Sequence, residues 1–120
     1  MVLYETALFG DALGSSISDD EINAQLISSV DEAIKDLLGV GVVDAFYSHL
    51  ATSGIPRTEI PTKLDRFCWI LEQTFGVAGL TIQRGIAMRL YQKLGLLFKP
   101  IENGKLMEYV REAKDRLKTR

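Results

Sequence analysis

The strongest constraint on the fold is the spacing of the apolar residues, which recur at steps of three and four over most of the chain. The clearest example is the stripe after Ser18, formed by Ile22, Leu26, Val30, Ala33, Ile34, Leu37 and Leu38. Residues at these steps share one face of a helix, whereas no segment alternates with a period of two for long enough to indicate a strand. The sequence therefore predicts an all-α fold.

Local signals divide the chain into five predicted helices. Ser18 followed by Glu21 has the spacing of a capping box, and Gly39, Gly76 and Gly95 stand where helices can end. The predicted helices cover approximately residues 18–38, 42–52, 63–75, 80–94 and 105–118.

The segments outside these helices carry their own signals. Pro56 and Pro61 predict an extended connector without regular helix, and Thr62 has the spacing of an N-cap for the third helix. The pair Asn103–Gly104 predicts a turn. Residues 1–10 contain no basic residue and do not resemble a secretory signal, so we expect a short helical or extended segment that packs on the domain.

Length and composition are those of a small globular protein. The chain has 120 residues, of which 47% are apolar and 25% charged, so it is long enough for one domain and too apolar for a disordered chain. No stretch approaches the roughly 20 apolar residues of a membrane-spanning helix. Since the predicted connections are short, we expect one domain over residues 1–120. Its predicted architecture is a compact antiparallel helical bundle of about four core helices with an amphipathic C-terminal helix.

Residues that carry common enzyme chemistry are scarce. The single cysteine, Cys68, lies in an apolar run, which is typical of a small buried side chain. A nucleophilic cysteine would need a nearby base, and the only histidine, His49, is not joined to it by a local motif. Phosphate-binding, metalloprotease and nucleophile-elbow motifs are absent from the sequence. We therefore expect a cytoplasmic, non-enzymatic protein without metal, cofactor or small-molecule substrate, and a Cys68–His49 pair in three dimensions is the remaining catalytic alternative.

Several short stretches resemble a family of small archaeal domains. They are Ser29–Lys35, Phe46–Leu50, Thr58–Pro61, Phe75–Gly76 and Arg89–Gly95. In this order they resemble the Nitrosopumilus output domain of type five and related archaeal domains of unknown function, over approximately residues 25–96. The resemblance implies an all-helical domain that occurs alone or attached to signalling proteins, with no known activity and no known catalytic residues.

Charge is distributed unequally along the chain. Up to residue 80 there are four basic and twelve acidic residues, a balance of −8, and from residue 81 onward ten basic and four acidic residues, a balance of +6. Such asymmetry suggests a polar partner. Alternatively, the basic helices pack beside the acidic ones within one molecule and largely cancel the field.

The last predicted helix combines an apolar stripe with a basic exterior. The stripe predicts a protein interface and consists of Leu106, Val110, Ala113 and Leu117. Three arrangements fit it: packing on its own bundle, pairing with a second copy or another protein, or lying along nucleic-acid phosphates. A membrane surface is disfavoured because the stripe lacks large aromatic anchors.

Two functional hypotheses follow from the sequence. The first is a non-enzymatic protein-interaction or regulatory domain of the signalling-output type, with a homodimer as one form, in which the C-terminal stripe makes the contact. The alternative is a small helical nucleic-acid-binding regulator, although the acidic pI of about 5.4 argues against strong non-specific binding. The contact residues of this alternative are Gln83, Arg84, Lys105, Arg111, Lys114, Arg116, Lys118 and Arg120.

Overall fold

Five α-helices and one 3-10 helix make up most of residues 17–118, the part of the chain that the computed structural model describes. The α-helices are α1 (Asp19–Leu38), α2 (Val40–Thr52), α3 (Leu64–Phe75), α4 (Ala78–Leu94) and α5 (Leu106–Lys118). The 3-10 helix Arg57–Lys63 connects α2 to α3. No strand occurs within residues 17–118, and the predicted all-α helical bundle is confirmed. The expectation for residues 1–10 lies outside the described residues.

The start of α1 has the predicted capping box. The Ser18 hydroxyl accepts a hydrogen bond from the Glu21 amide at 3.2 Å, and the Glu21 carboxylate accepts one from the Ser18 amide at 3.4 Å. At the other end Gly39, with φ of 95°, is both the C-cap of α1 and the N-cap of α2. The second helix therefore begins at Val40, two residues earlier than predicted.

The proline-containing connector differs from the prediction. Pro56 is extended, with φ of −60° and ψ of 151°, but Pro61 lies within the 3-10 helix. Proline tolerates this position because its fixed φ is also a 3-10 value, and only one backbone donor is lost. The Thr62 hydroxyl donates to the Glu59 carbonyl at 3.0 Å, and Lys63 is the N-cap of α3. The prediction of a Thr62 cap was therefore wrong.

The helix α4 also begins two residues earlier than predicted, so that Gly79 lies in its first turn. A Cβ atom at Gly79 would stand 2.8 Å from the Leu71 carbonyl oxygen. Glycine is needed here because it allows the first turn of α4 to approach the backbone of α3 closely.

Packing of α1 against α4 forms the centre of the bundle. Asp36 pairs with Arg89 and Glu32 with Lys93, so residue numbers rise along α1 as they fall along α4. The two helices are therefore antiparallel, as predicted for neighbours in the bundle. α1 also packs on α2 and the 3-10 helix, while α4 also packs on α3 and α5. The buried core includes Leu26, Val30, Ile34, Ile86 and Leu90.

The C-terminal helix packs on its own bundle. The four side chains of its apolar stripe, Leu106, Val110, Ala113 and Leu117, are at most 3% exposed. Burial stabilises each Leu or Val by roughly 1.5–3 kcal/mol, and contacts with α3 and α4 already provide it. The prediction that these four residues form an intermolecular interface was therefore wrong.

Three aromatic rings fix the segment between α4 and α5. Phe98 stacks on Tyr109 with ring centroids 5.1 Å apart and meets Tyr91 edge-on at 5.5 Å. The Tyr91 hydroxyl donates to the Tyr109 carbonyl at 2.8 Å, and the Ile101 amide donates to the Tyr109 hydroxyl at 2.8 Å. These contacts hold the segment against the C-terminal end of α4. The chain then turns at Asn103, whose φ is positive, as the Asn–Gly pair predicted.

Candidate functional site

A groove lies between α1, α4 and the segment that follows α4. Its volume is about 700 Å³. We call it the α1–α4 groove, and its lining residues are Glu32, Asp36, Met88, Arg89, Gln92, Leu96, Leu97 and Phe98. Apolar and charged side chains are therefore present in the same depression.

Two ion pairs join α1 to α4 at the groove. Arg89 Nη2 lies 2.8 Å from Asp36 Oδ2, and Lys93 Nζ lies 2.6 Å from Glu32 Oε2. The carboxylates are the more exposed partners, at 65% and 46%, against 24% and 25% for the two basic side chains. Each carboxylate is thus balanced by a basic side chain of α4 and has the more exposed side chain of its pair, so the two carboxylates form the outer edge on α1.

Exposed apolar side chains continue from the groove along the same surface. Met88 and Leu97 line the groove and are 50% and 66% exposed, and Leu37 is 45% exposed. A Cβ atom at Gly85 would stand 3.1 Å from Leu37 Cδ1, which shows that Leu37 lies across α4 one turn before Met88. Contiguous exposed apolar side chains rimmed by charges are typical of interaction surfaces.

Arg84 completes this surface on the α4 side. It precedes Met88 by four residues and is exposed, so both side chains lie on one face of the helix. Among the described residues it has no ion-pair partner. We call the surface formed by Glu32, Asp36, Leu37, Arg84, Met88 and Leu97 the α1–α4 face.

Gln83, the neighbour of Arg84, has a different environment. It is fully buried. Its amide Nε2 donates to Glu72 Oε2 at 2.9 Å, and its Oε1 accepts from the Leu106 amide at 2.9 Å. Lys105 Nζ lies 2.9 Å from the other Glu72 oxygen. The four residues form a polar clamp that joins α3, α4 and the start of α5.

The polar clamp removes two residues from the predicted nucleic-acid contact set. Gln83 cannot reach a base edge because it caps the first turn of α5 inside the bundle. Lys105 is committed to Glu72, and hydrogen bonds from Gln83 and then Lys105 hold the pKa of the Glu72 carboxyl below its ordinary value. Neither residue contributes to a free basic surface.

The other basic residues of that alternative, apart from Arg84, belong to α5 or follow it. Arg111 and Lys118 are exposed and Lys114 is half-buried. The Arg116 guanidinium donates to the Leu97 carbonyl at 2.9 Å and lies 6.0 Å from the centre of the Tyr91 ring. Arg120 lies outside the described residues.

The two oppositely charged parts of the sequence are paired inside the molecule. Among residues 17–118, three ion pairs join the acidic part to the basic part: Asp36–Arg89, Glu32–Lys93 and Glu72–Lys105. The structure thus supports the second interpretation of the charge asymmetry, in which the basic helices pack beside the acidic ones and reduce the net field.

A second polar cluster, which no sequence signal indicated, joins the 3-10 helix to α1 and α2. The Asp31 carboxylate accepts hydrogen bonds from both Arg57 and the Tyr47 hydroxyl, including one from Arg57 Nε at 3.1 Å. The hydrogen bond from Arg57 lowers the pKa of Asp31, while burial raises the pKa of Tyr47. Every member has a partner within the cluster, so its role is to hold the three elements together.

Cys68 has the environment of a buried apolar side chain, as the sequence predicted. It is 2% exposed, and burial raises the pKa of its thiol to about 11. The thiolate, which is the nucleophilic form, is therefore scarce at neutral pH. His49, the base of the catalytic alternative, is exposed.

Within residues 17–118, no three or more His, Cys, Asp and Glu side chains are grouped so that they could hold a metal ion. None of the helices in the same range has both the length and the apolar character needed to cross a membrane.

Comparison of the chain with models of known protein families, with curated proteins and with solved structures found no significant match. The resemblance to the archaeal output domains therefore stays a prediction from the sequence.

Proposed function

We propose that this chain is a non-enzymatic, cytoplasmic protein-interaction domain that binds its partner through the α1–α4 face. The observation that carries the proposal is the line of exposed apolar side chains Leu37, Met88 and Leu97 beside a charged groove. A regulatory, signalling-output role of archaeal type is the biological setting that the sequence resemblance suggests.

The shape of the groove favours a macromolecule over a small ligand. Small-molecule sites enclose most of the ligand surface. Here Met88 and Leu97 are at least half exposed and form an open wall. A small ligand would stay largely in water, whereas a protein surface or a helix can cover the groove and the neighbouring apolar residues together.

The rigidity of the α1–α4 face also favours a macromolecular partner. The ion pairs of Glu32 and Asp36 fix α1 against α4, and the stacking of Phe98 on Tyr109 fixes the wall that contains Leu97. A preformed surface loses little conformational entropy when it binds. The partner should carry apolar side chains opposite Met88 and basic groups opposite the carboxylates of α1.

Site-specific photocrosslinking in cells tests the proposal. A benzophenone amino acid placed at Leu97 should give covalent adducts with another polypeptide, and the added substitution Met88→Asp should remove them. The matched control is the same probe at Ala45, an exposed residue of α2, where we expect no adduct. Equal adducts at the two positions, or none at Leu97, would contradict the proposal.

A further inference from the structure

The α1–α4 face carries opposite charges on its two sides. The carboxylates of Glu32 and Asp36 form the outer edge on α1, while Arg84 stands on α4 without an ion-pair partner among the described residues. Leu37 lies beside Asp36 on α1, and Met88 lies one turn after Arg84 on α4. Each side of the face thus combines apolar and charged groups, with ion-paired carboxylates on α1 and an additional guanidinium on α4.

This arrangement is complementary to itself. A two-fold axis that lies in the plane of the interface, parallel to α1 and α4 and midway between them, sets α1 of one copy against α4 of the other. Met88 then contacts Leu37 of the second copy, and Arg84 approaches Asp36 of the second copy. Each contact occurs twice, once on each side of the axis.

We propose that the occupant of the α1–α4 face is a second copy of this chain, bound in a two-fold dimer. The inference rests on the proposed function and names its partner. Charge complementarity distinguishes the second copy from the nearest alternative, residues 1–16 of the same chain. That segment is apolar but carries Glu5 and Asp11 and no basic residue. It therefore has no basic side chain that could pair with the carboxylates of α1.

The size of the face sets the expected strength of the dimer. α4 has 17 residues, which corresponds to a length of about 25 Å, and two neighbouring helices are about 20 Å wide. Each copy would thus bury about 500 Å², or about 1,000 Å² in total, which is at the low end for a specific interface. We expect a dimer that dissociates at micromolar concentrations.

The first experiment measures the mass of the full chain by sedimentation equilibrium between about 1 and 500 μM. We expect conversion from monomer to dimer over this range. Met88→Asp, which places two buried charges in the interface, should weaken the dimer more than tenfold. Arg111→Glu, a charge reversal at an exposed position of α5, should leave it unchanged.

A charge exchange tests the orientation of the two copies. Arg84→Glu and Asp36→Lys should each weaken the homodimer by about tenfold, because each creates two repulsive contacts at the interface. Mixing the two variants restores one Glu–Lys and one Asp–Arg contact, so a heterodimer should form that is stronger than either variant homodimer. Circular dichroism of each variant checks that the bundle is folded.

Each outcome decides between the two proposals. A monomer at every concentration, or a dimer that neither Met88→Asp nor the charge exchange affects, overturns the second-copy inference. If the chain is monomeric and the Leu97 probe still gives adducts with a different polypeptide, the proposed function stands and only the identity of the partner was wrong. A monomer without adducts at Leu97 overturns both.

Discussion

Replacement of Gln83 by leucine is expected to destabilise the fold by about 3 kcal/mol. The two side chains have similar volumes, so little of the effect should come from packing. The loss has two parts: the buried Leu106 amide loses its acceptor, which costs about 1–3 kcal/mol, and Glu72 loses a charge-assisted hydrogen bond of about 1.5 kcal/mol. The Lys105 contact remains and keeps Glu72 from being left without a partner.

Urea denaturation followed by circular dichroism measures this loss. With a slope of about 1.5 kcal/mol per molar urea, the midpoint should fall by about 2 M. The control is Gln92→Leu, which makes the same replacement at an exposed position of the same helix and should change stability by less than about 0.5 kcal/mol. Hydrogen exchange of the Leu106 amide should also become faster in the Gln83 variant. A Gln83→Leu protein as stable as wild type would refute the view that the clamp holds α5 to the bundle.

Three further predictions concern other parts of the bundle. Asp31→Asn should destabilise the protein by about 1 kcal/mol at pH 7. Because folding lowers the pKa of Asp31, the stability that its charge contributes is present above the unfolded pKa of about 3.9 and is lost as pH falls through the folded pKa. Denaturation curves of wild type and variant, measured in parallel, should therefore converge at low pH. Cys68 should react with a thiol reagent far more slowly in the native protein than in urea, because burial raises its pKa to about 11, and a native rate equal to the unfolded rate would contradict this. Gly79→Ala should destabilise by about 1–2 kcal/mol, since the added methyl meets a backbone carbonyl at 2.8 Å. Gly85→Ala, where the neighbour at 3.1 Å is the flexible end of a leucine side chain, should be neutral or stabilising because alanine favours helix, and thermal melts of the two variants test the difference in sign.

The helices of this fold were predictable because their signals are local. The capping box at Ser18 and the glycines at helix ends act over a few residues, and apolar periodicity identifies the buried faces. The start of α4 was misplaced because the requirement for Gly79 comes from the Leu71 carbonyl on another helix. A contact between separate elements leaves no such local signal.

The candidate site depended on information that the sequence does not contain. The stripe Leu106 to Leu117 has the same pattern whether it packs on its own bundle or on another molecule. Only the arrangement of α3 and α4 determines which of the two surfaces buries it. Gln83 is polar and near a helix start, which suggested exposure, but α5 returns to cover it 23 residues later. Conversely, Met88 and Leu97 are ordinary core residues by type, yet the fold leaves them exposed.

The junction between α1 and α2 has a consequence for how chains with this fold can vary in length. Gly39 alone separates the two helices and serves both as their cap residue, so no spare residue is available to absorb an insertion. One added residue would continue a helix by about 100° and 1.5 Å, which would rotate Phe46 away from its contacts with Phe67 and Phe75. The segment between α4 and α5 is longer, and its fixed points are the ring contacts of Phe98, the hydrogen bond of Ile101 to Tyr109 and the close packing of Gly104 on Ile101. Insertions should therefore be tolerated at the exposed residues Lys99 and Pro100, while the spacing from α1 to α2 stays constant.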